Sequence, residues 1–525
     1  MPNFAKIAHF SVSNGLMSNP SVIPTQSPVH SPTQRPTGEQ QQAVDMALTR
    51  QSFKVVAYAG AGKTTTLNLI GNQLRGRGIY LAFNKAIAAE AQRKFPHHVD
   101  CRTFHSLAFR HTARDITAKL QLPRFSPSRL ASDLGLTPVQ VKRQIEGKSQ
   151  FVTLTPERQA RFVSDAVSTF CSTHASYPAP RHLQFPDWLV ASEAEQLRDT
   201  LYPYVERRWQ QSIDPRHPAG IGHDIYLKLW ALSKPVIPAD FILFDEAQDA
   251  DPLMMGILSN QPNQVIYVGD AHQQIYEWRG AVNAMKRLPL PQTLLTQSFR
   301  FGDQIADVAN GFLKALQEEV PLRGNPAMAS TLGKSMVHGQ KDAILCRTNA
   351  SAMVNLLSGL KMGHKVALQA DTDRLLKFSQ SAERLKKGQA AYGVPELAYF
   401  NNWRDVQDYS ETSEGSDLKT LVKLVDEHGT ETLNQAINSL TTLDKADYII
   451  STAHKAKGLE WDRVHIEDDY QFKLNEKDHK ISDEELRMLY VACTRAKVSL
   501  NIHHIYDLIQ QLKIRMPQSL RQAVG

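Results

Sequence analysis

The stretch VVAYAGAGKTTTL, residues 55–67, constrains this chain more than any other. Apolar and aromatic residues from Val55 to Tyr58 run into a glycine-containing turn, then into Lys63 and the threonines 64–66. Such a turn works as a phosphate cradle when consecutive backbone N–H groups and a helix N-terminus point at the same oxygens. Gly60 and Gly62 let the backbone come close, with Ala59, Ala61 and Thr65 completing the loop. Lys63 would reach the β and γ phosphates, and the Thr64 hydroxyl would sit on Mg²⁺. The pattern departs from G-x-x-x-x-G-K-[ST] at its first position, which holds Ala57. Taken alone, the stretch is also compatible with an ordinary strand-turn-helix that contains Gly-Lys-Thr.

A second element narrows that choice. FILFDEAQD (241–249) is an apolar run ending in Asp245 and Glu246. A carboxylate at a strand's C-terminal end can hold Mg²⁺, while its neighbour orients or deprotonates an attacking water. A phosphate cradle followed by an acid-tipped apolar strand predicts an ATPase, with ATP and Mg²⁺ as its cofactors.

The surrounding pattern predicts an α/β chain. Apolar runs at 53–58, 79–83, 241–244 and 265–268 suit strands of a parallel sheet covered on both faces. A second series follows at 343–346, 365–369, 447–452, 463–466 and 498–502, which predicts two tandem domains of similar build. EQQQAVDMAL (39–48) has helical spacing, with Val44, Ala47 and Leu48 on one side. Residues 106–238 read as mainly helical, and 372–445 as a smaller insertion. The segment 1–37, rich in Ser, Pro, Thr and Gln, is expected to be a disordered tail, and 511–525 a C-terminal tail.

Composition excludes several classes. With 42% hydrophobic and 22% charged residues the balance is that of a globular protein, and no apolar stretch is long enough for a membrane span. The N-terminus carries no basic-then-apolar export signal. Four cysteines, Cys101, Cys171, Cys346 and Cys493, lie far apart without a C-x-x-C pair, which argues against a zinc site or iron–sulfur cluster and fits a reducing compartment. A net charge of +7 suits a polyanionic partner without demanding one.

Further blocks, in order, resemble the superfamily 1A DNA helicases, the UvrD-, Rep- and PcrA-like group. TGEQQQAV resembles the adenine-reading glutamine motif, AYAGAGKTTT motif I, LAFNKAIAAE motif Ia, and TFHSLA the short DNA-contact block after it. FDEAQD resembles motif II, VGDAHQQIYEWRGA motif III, TQSFRFG motif IV, STAHKAKGLEWD motif V and EELRMLYVACTRAK motif VI. The wording of motifs III and V is similar to the F-box DNA helicase branch and its bacterial relatives, although the short tail is expected to lack a folded F-box.

The resemblance implies two RecA-like P-loop motor domains, 1A (38–105 and 239–300) and 2A (301–371 and 446–510). It also implies a mainly helical 1B insertion at 106–238 and a reduced 2B-like insertion at 372–445. Arg300 and Arg495 would cross the cleft as arginine fingers, each an asset of ~10³–10⁵ in rate. Gln273 would sense the γ-phosphate and Glu460 would touch the ribose. Gln42 would read adenine, with Gln41 or Gln40 as the reader if the register slips.

Base-blind binding of a single strand needs stacking surfaces and cationic or polar contacts to the backbone. Tyr276, Trp278 and Arg279 offer one such group, and Phe83, Asn84 and Lys85 another. Thr103, His105, His454 and Lys455 would hold phosphates. The implied activity is 3′→5′ DNA helicase or single-stranded DNA translocase in repair or recombination. Its track would be single-stranded DNA and junctions with duplex, and its other partners repair or recombination proteins. A monomer is expected, cytoplasmic and nucleoid-associated in a bacterium or nuclear in a eukaryote. The reduced 2B-like segment keeps two alternatives open: a translocase that strips proteins from DNA, and an ATP-switched subunit of a defence or repair complex. RNA remains open as the track.

Overall fold

The computed structural model describes residues 35–145, 148–186, 189–275, 283–333, 342–394, 397, 400, 402–410, 418–470 and 481–511. Of the tails expected at 1–37 and 511–525, residues 1–34 and 512–525 lie outside the described residues. Short apolar runs pair side by side because their residues are buried on both faces. Strands β1 (Phe53–Ala57), β2 (Gly78–Leu81) and β3 (Val99–Arg102) precede a long helical region that carries a hairpin of β4 (Val139–Ile145) and β5 (Lys148–Leu154). Strands β6 (Phe241–Phe244), β7 (Gln264–Gly269) and β8 (Gln292–Leu295) complete a parallel sheet of order β3-β2-β6-β7-β1-β8. In it, Val55 of β1 lies opposite Val268 on one side and Thr293 on the other.

The second sheet uses β9 (Thr331–Leu332), β10 (Asp342–Cys346), β11 (Val366–Gln369), β12 (Tyr448–Thr452), β13 (Trp461–Ile466) and β14 (Ala496–Asn501). Its order is β11-β12-β10-β13-β14-β9, again parallel. All the strands expected from apolar runs are present. The strands that sequence reading passed over, β3, β8 and β9, lie at sheet edges, where short, half-covered strands have no continuous apolar run.

Three further differences have physical causes. Leu48 was expected on the buried side of the helix Gly38–Leu48 but is 53% exposed; the inward stripe is Gln40, Ala43, Val44 and Ala47. The region between β3 and β6 is mainly helical, around its own core of Val163, Phe170, Leu201 and Trp209, yet it includes the antiparallel hairpin. The alternation in VQVKRQI and KSQFVTL is the signal for that hairpin. Finally, the helices Thr372–Lys386, Trp403–Ser410 and Lys419–Asn438 share one apolar cluster with the second sheet: Phe378, Trp403 and Val425 pack with Ile344, Val366 and Ile450. Their apolar residues are continuous with that core, and Lys419–Asn438 packs on the helix Asn349–Lys361, which lies against the sheet.

Candidate active site

The cradle begins where β1 ends. Gly60 (φ 73°) and Gly62 (φ 78°) adopt left-handed backbone, which side chains disfavour. At Gly60 space forbids a side chain as well, since a Cβ would stand 2.4 Å from Ser298 Oγ and 2.8 Å from Arg300 Cβ. Ala57, by contrast, is the last residue of β1, fully buried and without a positive φ, so that position does not need glycine. Gly62 caps the helix Lys63–Gln73 with no side-chain hydrogen bond to its first turn. This is the geometry of a helix start that binds anions.

Lys63 Nζ stands 3.0 Å from both carboxylate oxygens of Glu246. The Thr64 hydroxyl is 3.5 Å from Asp245 Oδ2, which also accepts the Tyr80 hydroxyl at 2.7 Å. Burial, then the adjacent Glu246 charge, raises the pKa of Asp245. Burial also works against the charge of Glu246, but Lys63 and then Lys457 hold it below the usual carboxylate range. Glu246 itself has φ 53°, an uncommon conformation for a residue with a side chain, and Gln248 donates to its carboxylate. A hydroxyl and a buried carboxylate beside a lysine suit a hard divalent cation such as Mg²⁺.

The second sheet supplies the opposite wall. Arg495, buried beside β14, donates to Leu459 O at 3.3 Å and to Gln273 Oε1 at 3.5 Å. Burial, then the charge of Arg300, lowers its pKa to about 9. Arg300, beyond β8, donates to Glu460 Oε2 at 2.8 Å and Thr494 O at 3.0 Å. A cavity of ≈ 470 Å³ lies between these walls. Its lining brings together Gly60, Ala61, Gly62, Lys63, Thr64 and Thr65 with Asp245, Glu246, Gln273, Arg300, Glu460 and Arg495. Ala59 is set back from it, fully buried, with its N–H donating to the Tyr490 hydroxyl at 3.0 Å.

The structure separates the candidate adenine readers. Gln42 is exposed and borders another hollow with Glu39 and Arg323. Gln40 is buried against the cradle, its Nε2 donating to Thr66 Oγ1 at 3.3 Å. Other groups were not foreseen. Phe299, 40% exposed, borders the cavity, and its ring would lie 3.4 Å from a Cβ at Gly62. Tyr490 links the lobes, because its hydroxyl also donates to Asp270 Oδ2 at 3.0 Å. Lys457 pairs with buried Asp249 and donates to Gln273 O at 2.6 Å. Tyr490 sits inside an apolar helical run; the usable signal is its hydroxyl, which needs a partner when buried.

Residues expected to meet DNA gather at the C-terminal ends of strands, where open parallel sheets receive ligands. Phe83, just past β2, is 51% exposed, and Lys85 beside it is exposed too. Asn84 caps the helix Lys85–Lys94 by accepting the Ile87 N–H at 2.9 Å. Thr103, after β3, caps the helix Phe104–His111, and His105 Nε2 lies 3.9 Å from Asp224 Oδ1. Past β12, His454 is half-buried and Lys455 exposed. Tyr276, Trp278 and Arg279 lie outside the described residues.

Two parallel sheets, with a glycine-containing turn at the end of one, arginine and glutamate beside strands of the other, and a cavity between, define an α/β domain pair. The UvrD-like helicase C-terminal domain family matches residues 364–506, and an AAA domain family matches residues 40–279. The chain thus carries a segment similar to UvrD-like helicase C-terminal domains and one similar to AAA domains. It is 30% identical over 531 residues to F-box DNA helicase 1 of Gallus gallus, covering 91% of this chain and 50% of that protein. It is 28% identical to F-box DNA helicase protein 1 of Schizosaccharomyces pombe, covering 90% and 58%. ATP-dependent DNA helicase PcrA of Leuconostoc citreum is 26% identical over 53% of this chain and 39% of its own length. The chain thus spans about half the length of the curated F-box relatives it matches. No described helix is long and apolar enough to cross a membrane.

Proposed function

We propose that the chain is an ATP-dependent motor on single-stranded DNA, a 3′→5′ helicase or translocase acting in repair or recombination. The observation that carries this reading is the cavity in which Lys63, Asp245 and Glu246 face Glu460 and Arg495. Lys63 and the amides of the cradle would take the phosphates. Thr64 and Asp245 would hold Mg²⁺, which shields phosphate charge and orients the γ-phosphoryl group. Glu246 would accept the proton of the attacking water. Arg495 and Arg300 would stabilise charge on the transferring group, so that closure of the lobes depends on the triphosphate. Gln40 would hydrogen-bond the base edge, Phe299 would stack on its face, and Glu460 would meet the ribose. Contacts of Asp270 with Tyr490, and of Lys457 with Asp249 and Gln273, would pass the state of the nucleotide between lobes. Phe83 and the polar strand ends would hold successive nucleotides without reading sequence, with Tyr276, Trp278 and Arg279 as a further contact. In this reading 38–105 with 239–300, and 301–371 with 446–510, form the motor domains, and 106–238 is the inserted subdomain. The direction of travel rests on the family resemblance alone.

The deciding measurement is ATP turnover with and without a single-stranded oligonucleotide. Strong stimulation is expected; equal rates, together with no oligonucleotide binding at low salt, would refute the motor. An RNA oligonucleotide run in parallel assigns the track. A second reading, a translocase that strips proteins, is favoured by one observation: the 372–445 helices share an apolar cluster with the second sheet. Strand displacement measured beside streptavidin displacement separates the two.

A further inference from the structure

Away from the cleft, two histidines and a glutamate converge at the C-terminal edge of the second sheet. β13 and β14 are parallel neighbours, with His465 opposite Asn501. His465 is therefore near the end of β13, Glu467 just beyond it, and His504 in the first turn of the helix His503–Gln511 that follows β14. One nitrogen of each ring and one Glu467 carboxylate oxygen lie within 4.8 Å of one another. The two rings meet edge to face, with centroids 5.0 Å apart and planes at 89°. The Nδ1 of His465 is sealed from solvent and has no hydrogen-bond partner. A buried nitrogen left so costs stability unless something engages that ring. None of the three residues lines the nucleotide cavity.

Two imidazoles and one carboxylate form a donor set suited to first-row transition ions, not to Mg²⁺ or Ca²⁺, which prefer oxygen alone. Metal–ligand bonds of ~2.0–2.2 Å put the donors of a tetrahedral site about 3.4 Å apart. The cluster is within roughly 1.5 Å of that spacing, and His504, being exposed, is free to swing inward. Cysteine spacing, which gave no hint of zinc, has no bearing on a set built from histidine and glutamate.

We propose that His465, Glu467 and His504 bind one divalent transition ion of the Zn²⁺ class, which clips the helix after β14 to the end of β13. With three protein ligands, the remaining coordination position falls to water.

The test uses the purified full chain and the metal alone. Co²⁺ titration is expected to give visible d–d absorption saturating near one equivalent and reversed by Zn²⁺, with no response to Mg²⁺. Glu467→Gln and His504→Ala are each expected to weaken binding at least tenfold. The exposed His428→Ala, on another helix, serves as control and is expected to bind normally. Zn²⁺ is further expected to raise the melting temperature of the parent chain but not of His504→Ala, whose metal-free melting temperature reports that it has folded. Absence of Co²⁺ binding, or binding equally strong in Glu467→Gln and His504→Ala, would overturn the site.

Discussion

Two strand-to-helix turns, one in each sheet, solve the same local problem in opposite ways. After β1, the helix Lys63–Gln73 starts at a left-handed glycine, with no side chain capping its first turn. After β10, the helix Asn349–Lys361 starts at Thr348, whose hydroxyl accepts the Ser351 N–H at 3.0 Å. There the protein also provides its own anion. The Asp469 carboxylate accepts the N–H groups of Arg347 and Thr348, both at 2.8 Å, and the Thr348 hydroxyl at 2.9 Å. Arg347 is locked in turn by Glu485, with Nη2 to Oε1 at 2.6 Å. A helix start attracts negative charge in either case. One turn is shaped to receive that charge from a ligand, and the other has it built in. Two sheets of similar construction would therefore divide the work under the proposed function, one taking phosphate and the other contributing Glu460 and Arg495.

The sharpest way to break the comparison is at the first turn. Lys63→Ala should reduce ATP turnover by at least ~10³-fold, since charge stabilisation carries most of phosphoryl transfer. Near-normal turnover would mean that the cradle does not take the phosphates. Glu246→Gln comes next. Turnover should fall by about 10²–10³-fold through loss of the base. Nucleotide affinity should be kept or increased, because the carboxylate that pairs with Lys63 at 3.0 Å is gone. Fluorescent-nucleotide binding beside single-turnover hydrolysis reads both, and unimpaired hydrolysis would remove Glu246 from its assigned role.

At the second turn the expected damage is to stability. Asp469→Ala leaves the part-buried Arg347 N–H without its partner, at roughly 1–3 kcal/mol, while the N–H and hydroxyl of the exposed Thr348 can turn to water. A loss of about 1–3 kcal/mol, seen as a lower denaturation midpoint, is therefore expected. Any folded fraction should keep its nucleotide affinity. If Asp469→Ala weakened ATP binding as Lys63→Ala does, the division of work between the sheets would fail.

The sequence revealed the central strands and most of the residues that line the cleft for one reason: both depend on local pattern. Buried parallel strands are continuous apolar runs, and the cradle and its acidic partner are short motifs. What it concealed depends on packing. Ala57 looked like a defect because a motif does not say which of its glycines has positive φ; Gly60 and Gly62 do, and Ala57 does not. Gln42 was the expected base reader, but helical phase turns Gln40 inward with Ala43, Val44 and Ala47. Nothing local in 372–445 announces that Phe378 and Trp403 join the apolar cluster that includes Ile344 and Ile450. Tyr490 serves both lobes through a single hydroxyl, a relation between residues 431 positions apart for the Ala59 contact.

The smallest effect is also the most discriminating. Thr348→Ala removes the side-chain cap at the second turn together with the hydroxyl's exposed bond to Asp469, and loss of such a cap typically costs about 1 kcal/mol. Asp469 would still accept the backbone N–H groups of Arg347 and Thr348, so the turn keeps most of its anchoring. The expected result is a modest fall in melting temperature with DNA-stimulated turnover unchanged. A change in turnover with little change in melting would mean that this turn takes part in coupling nucleotide to DNA. The built-in anion would then act as a movable element of the motor and not as a fixed brace.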